Sequence, residues 1–161
     1  NKAKVLLIDA DMRRPTVHNL LHVAQSPGLS GTLSADGPVT LNPRNGPVRG
    51  LDVLPAGAPQ NLSAERLGSD AMKSLIEMAR KRYDWVIIDS PPALGLSDAA
   101  VIATLSDGIV VVCSGDKTPR QAVRHVADPV SYTHLRAHET VLDLVCRLLL
   151  ETNNQKTTQK V

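Results

Sequence analysis

Phenylalanine is absent from this 161-residue chain, Trp85 is its single tryptophan, and aromatic residues make up only 2% of it. Any core must therefore be built from Val, Ile, Leu, Ala and Met. Cysteine is scarce as well. Cys113 in an apolar run and Cys146 near the C-terminus form neither a disulfide framework nor a zinc pattern, in keeping with a reducing compartment. No stretch approaches the roughly 18 consecutive apolar residues that a membrane-spanning helix needs, and no basic-then-apolar signal opens the chain. The net charge of +2 is spread without a basic stripe, so nucleic acid is not indicated as a partner.

What is present is a hydrophobic content of 42% in a length suited to one α/β domain. Four short apolar runs are rich in β-branched residues: KVLLID (Lys4 to Asp9), LDVLP (Leu51 to Pro55), WVIID (Trp85 to Asp89) and GIVVVCS (Gly108 to Ser114). They are continuous rather than alternating, as in strands buried on both faces. Ser69 is placed to cap a helix whose Met72, Leu75, Ile76 and Ala79 share one face, with Arg80, Lys81 and Arg82 at its C-terminal end. A second helix is expected from Ser97 through Leu105 and a third near Thr118 and Pro119. Ser26 to Gly50, rich in Gly, Pro and Asn, reads as loops with at most a short helix. Alternating β and α units of this kind predict a doubly wound parallel sheet.

In such sheets ligands bind beyond the carboxyl ends of the strands. Asp9 and Asp11 sit at the tip of the first run, and Asp89 ends the third, followed by Pro91 and Pro92. A rigidly held carboxylate at a strand end suits a phosphate-bound Mg²⁺, a hard cation that takes oxygen ligands directly or through water. A single aspartate after a strand often only caps the next turn. Two such strand ends in one chain favour the metal reading.

In order and spacing, KVLLIDADMRRPTVHNLL, GLSGTL, LDVLPAGAPQNLSAERLGS, YDWVIIDSPPALGLSDAAVIATLSDGIVVV and DKTPRQAV resemble the bacterial tyrosine kinases of the P-loop class, relatives of the MinD-like and ParA-like ATPases. The resemblance runs from about Lys2 to about Val126, and the RRP after Asp11 points to the kinases within the wider group. It implies a P-loop NTPase fold of MinD type, with ATP and Mg²⁺ as cofactors. Asp9 and Asp11 match the Walker A′ motif and would be both catalytic and metal-binding; Asp9 would organise Mg²⁺ and activate a tyrosine hydroxyl. Asp89 matches Walker B and would bind metal and nucleotide. Two readings stand for Arg13 and Arg14: contact with phosphate or a neighbouring subunit's acids, or plain solvation. His18 and His22 share a helical face and could suggest a metal pair, but without a third ligand they read as surface or half-buried histidines.

The resemblance further implies autophosphorylation of a C-terminal tyrosine cluster, control of capsule and exopolysaccharide synthesis, and ring-like self-association. A membrane adaptor of polysaccharide co-polymerase type would be the partner, holding the protein at the cytoplasmic face of the membrane. The alternative is a MinD/ParA-type ATPase acting as a nucleotide-dependent positioning switch. This chain departs from the kinase pattern at two places. The phosphate loop G-x-x-x-x-G-K-[ST] is absent, since GDKT at Gly115 lacks its first glycine and follows the Walker-B strand. Of the two tyrosines, Tyr83 begins a strand and Tyr132 lies near the C-terminus, so neither replaces the cluster. The domain is thus expected to be incomplete at both ends, and the chain alone to be inactive.

The C-terminal stretch VSYTHLRAHETVLDLVCRLLLE places His134 and His138 one helical turn apart, and its Leu-rich spacing invites a helix. Reverse translation suggests another origin. Val130 to Thr140 match, without a mismatch, one frame of the adapter used in transposase-based sequencing libraries, and Asp143 to Leu150 match the flanking primer in the same frame. Residues 1–129 are therefore expected to be a partial kinase domain and residues 130–161 a non-native tail in which His134, His138 and Cys146 carry no function.

Overall fold

The computed structural model describes residues 3–34, 37–59, 64–92, 97–112 and 145–151. Its centre is a parallel sheet made from three of the expected runs: β1 (Val5–Asp9), β3 (Leu51–Leu54) and β4 (Trp85–Asp89). β1 lies in the middle. It pairs with β3 from Val5↔Leu51 to Ile8↔Leu54, and with β4 from Val5↔Trp85 to Asp9↔Asp89. The fourth run forms β5 (Gly108–Val112).

Two strands depart from the parallel expectation. β2 (Arg44–Asn45) adds to β3 antiparallel, and β6 (Val145–Glu151) lies antiparallel between β4 and β5, giving the order β2-β3-β1-β4-β6-β5. The sheet is therefore mixed, with its parallel part at the centre. The C-terminal Leu-rich run is a strand where its spacing suggested a helix. β4 and β5 pair with its backbone on both sides, which satisfies its main-chain groups and overrides the local pattern.

The helices follow from the same local rules. α1 (Val17–Leu20) and α2 (Leu29–Ser34) are short. α3 (Ala64–Leu67) leads into α4 (Asp70–Arg82), and α5 (Ser97–Thr104) carries the chain from β4 towards β5. The Ser69 side chain accepts the Met72 N–H at 3.4 Å, Asp70 sits in the first turn of α4, and Arg80, Lys81 and Arg82 occupy the last. α4 buries Met72, Leu75, Ile76 and Ala79, the face its sequence spacing indicates. Two of the terminal arginines also pin the helix: Arg80 meets Asp107 at 2.8 Å, and Arg82 donates to the Leu41 carbonyl. The region from Ser26 to Gly50 holds α2 and the two-residue β2, close to the expected loops with one short helix. The helix expected near Thr118 and Pro119 lies outside the described residues.

The core joins this sheet to its helices without a single phenylalanine. Leu6, Ile8, Leu54, Val86 and Ile88 pack with Leu29, Met72, Leu75 and Ile102. Burying each such side chain contributes about 1.5–3 kcal/mol. On β1, Leu6 and Ile8 are fully buried while Val5 and Leu7 are only half-buried, so the two faces are unequally covered. Chain direction places the ligand crevice. After β1 the chain leaves towards β3, whereas after β4 it leaves towards β5 on the other side, so the carboxyl ends of β1 and β4 flank a topological switch point.

Candidate functional site at the ends of β1 and β4

Asp9 and Asp89 are the last register partners of β1 and β4, and the Ala10 N–H continues the pairing by donating to the Asp89 carbonyl at 2.8 Å. Two of the expected carboxylates therefore stand side by side at the switch point. Asp9 is fully buried. Its Oδ1 accepts the Asp11 N–H at 3.1 Å and its Oδ2 the Val17 N–H at 3.3 Å, so one carboxylate ties both ends of the loop leading to α1. Asp11, half-buried, repeats the device: its Oδ1 accepts the Arg13 and Arg14 amides at 3.2 and 2.9 Å. Burial pushes the Asp9 carboxyl from the ordinary 3.8 up to about 7; the Val17 and Asp11 amides oppose the rise, and the charges of Asp89 and Asp11 add to it.

The arginine of this loop has a defined partner. Arg13 Nε lies 3.2 Å from Asp98 Oδ2 in the first turn of α5, and Asp98 is buried. Asp98 did not stand out in the sequence, because SDAAVIAT reads as an apolar helix start and its partner lies 85 positions away. An acid at a position that must be buried is the one signal that could have found it. Arg14 is exposed, as plain solvation expects.

His18 lies in α1, whereas His22 lies beyond it at a positive φ of 53°, so the two do not continue one helical face. Among the described residues no three His, Cys, Asp or Glu side chains group as a ready-made metal site. Asp9, Asp11 and Asp89 thus form no all-protein cage. Oxygen donors from two neighbouring strand ends still fit Mg²⁺, which keeps several waters and draws its remaining ligands from substrate phosphates. A cavity of about 380 Å³ lies elsewhere, lined by Ser26, Pro27, Gly28, Ser30, Gly31 and Ala58, and none of the expected site residues borders it.

Known proteins resemble the chain in sequence and in overall fold. The AAA domain family matches residues 1–140. The chain belongs to that family. Among its relatives is the tyrosine-protein kinase YwqD of Bacillus subtilis (strain 168), 39% identical over 118 residues, which is 73% of this chain and 50% of the relative. The tyrosine-protein kinase etk of Escherichia coli (strain K12) is 37% identical over 119 residues, 73% of this chain and 16% of the relative. The kinase domain of the Escherichia coli tyrosine kinase ETK superposes with a TM-score of 0.74 at 30% identity, covering 87% of this chain and 60% of that one. The VpsO kinase domain gives a TM-score of 0.75 at 28% identity, covering 88% of this chain and 70% of that domain. The likeness to bacterial P-loop tyrosine kinases read from the motifs is borne out, as is the α/β fold. The chain spans about half the length of YwqD and a far smaller share of etk.

Proposed function

We propose that this chain is part of an ATP-dependent protein-tyrosine kinase, with Asp9, Asp11, Arg13 and Asp89 as its contribution to the phosphoryl-transfer site. The observation that carries the reading is the register match of Asp9 with Asp89 at the switch point, with Asp11 two residues on. The printed names of the relatives support it. Bound MgATP supplies the transferable phosphoryl group and most of the charge neutralisation. The protein's part is positioning. Asp89, on a rigid strand end, offers its carboxylate to the metal's ligand shell, and half-buried Asp11 offers a second from the loop. Asp9 holds that loop in place, and its carboxyl, near neutrality in pKa, is suited to taking the proton of a tyrosine hydroxyl. Arg13, in the loop that Asp11 organises, carries a positive charge that could meet a phosphate oxygen.

The family resemblance extends this proposal to autophosphorylation of a tyrosine cluster outside this chain, and to control of capsule or exopolysaccharide synthesis. It also extends to ring-like self-association and to a polysaccharide co-polymerase adaptor at the cytoplasmic membrane face. No helix among the described residues is long and apolar enough to cross a membrane. We also propose that residues 1–129 are the kinase-derived part and residues 130–161 an adapter-derived tail, a reading supported by the match of Val130–Thr140 and Asp143–Leu150 to one translated adapter frame. Sequencing the genomic locus tests it: an open reading frame that diverges after Pro129 is expected, and one that continues through VSYTHLRAHET overturns it.

The kinase reading is tested by joining the chain to a phosphate-binding loop and a C-terminal tyrosine cluster in a longer protein and following ATP-dependent phosphotyrosine formation. Phosphotyrosine in the wild type, lost in Asp89→Asn, is the expected result. ATP hydrolysis with no phosphotyrosine would instead favour the positioning switch.

A further inference from the structure

Asp98 is 3% exposed, yet it carries a carboxylate into the packed side of α5 beside buried Ala99 and Ile102. A buried acid is costly unless it is paired, and its one described ion-pair partner is Arg13 Nε at 3.2 Å. Arg13 belongs to the loop that Asp11 organises, because its own N–H donates to Asp11 Oδ1, while the Asp11 N–H donates to Asp9 Oδ1. These contacts form a continuous path from α5 through Arg13 and Asp11 to the end of β1. Using Nε for Asp98 also leaves the two Nη groups of Arg13, the pair that grips phosphate in a fork, without a protein partner among the described residues.

We propose that Asp98 is a positioning residue: through Arg13 it clamps the loop that presents Asp11 and orients the guanidinium towards a phosphate oxyanion. Its consequence for catalysis rests on the kinase reading above. The clamp itself does not. Arg13 is half-exposed, so the pair contributes modestly to global stability and chiefly fixes the loop's geometry.

Two measurements separate the clamp from the kinase reading. Amide hydrogen exchange on this chain compares wild type with Asp98→Asn, which keeps the shape and removes the charge, and with Asp98→Glu, which keeps the charge. Exchange at the Arg13 and Arg14 amides is expected to rise about tenfold in Asp98→Asn and to recover in part in Asp98→Glu, with the Leu7 and Ile8 amides of β1 unchanged. No change at Arg13 and Arg14, or an equal rise in β1, overturns the clamp. In the longer protein bearing a phosphate loop, Asp98→Asn is expected to raise KM for ATP several-fold more than it lowers kcat, and unchanged kinetics overturn the catalytic consequence. A wild-type protein that forms no phosphotyrosine would defeat the kinase reading and leave the exchange result to decide the clamp.

Discussion

Asp9 and Asp89 close the pairing of β1 and β4, so two carboxylates from strands separated by most of the domain's sequence end side by side at one edge of the sheet. Main-chain amides are donated to Asp9 from the loop it begins, and burial still holds its carboxyl near a pKa of 7. The arrangement is poor for stability and well suited to a cation. That tension makes the site measurable even in the isolated chain.

The pH dependence of folding is the first consequence. Asp9's folded value of about 7 lies above its ordinary 3.8, so the folded state binds its proton more tightly than the unfolded state. Its contribution is fully present below the ordinary value and is lost as pH rises through about 7. Urea midpoints should therefore fall between pH 4.5 and 7.5, and Asp9→Asn should flatten that slope and stabilise the chain at pH 8 by on the order of 2 kcal/mol. Identical slopes in the two proteins would contradict the burial of a raised carboxyl.

Gly28 is fixed by close approach. A Cβ there would collide with the Pro55 carbonyl and the Gly57 amide, where Leu29 and Ser30 donate to the Pro55 and Ala56 carbonyls at 2.8 Å each. Gly28→Ala must push two backbone segments apart, and a loss of about 2–4 kcal/mol is expected in denaturant unfolding. Gly31→Ala is the control, since a Cβ there meets nothing within 4 Å.

Tyr83 is buried and donates its hydroxyl to Asp52 at 2.7 Å, and burial and that bond together push the phenol up to about 12. It is held as a structural strut and is unavailable as a phosphate acceptor. Tyr83→Phe should cost about 1 kcal/mol in thermal or urea unfolding and leave phosphotyrosine yield in the longer protein unchanged. A fall in that yield would show Tyr83 to be a substrate.

Much of this was legible in the residues, for reasons that differ by element. β1, β4 and α4 carry their own signals: unbroken β-branched runs ending in aspartate, and a serine cap ahead of four apolar residues at helical spacing. β2 was not legible because two residues, Arg44 and Asn45, acquire strand form only from β3 beside them. β6 was not legible because its stretch reads as adapter-derived tail whose leucines locally invite a helix, while the neighbouring strand edges decide the outcome. The strand-end aspartates were found from chemistry alone, but Asp98 was not, since its meaning depends on Arg13 across the fold.

Asp89 is proposed above to serve phosphoryl transfer to tyrosine. Phosphotyrosine formation from ATP is to be compared between wild type and Asp89→Asn in a protein that joins this chain to a phosphate-binding loop and a C-terminal tyrosine cluster. A loss of at least about a hundredfold in rate, with the fold intact, is expected. An Asp89→Asn protein that phosphorylates tyrosine as fast as the wild type would contradict it.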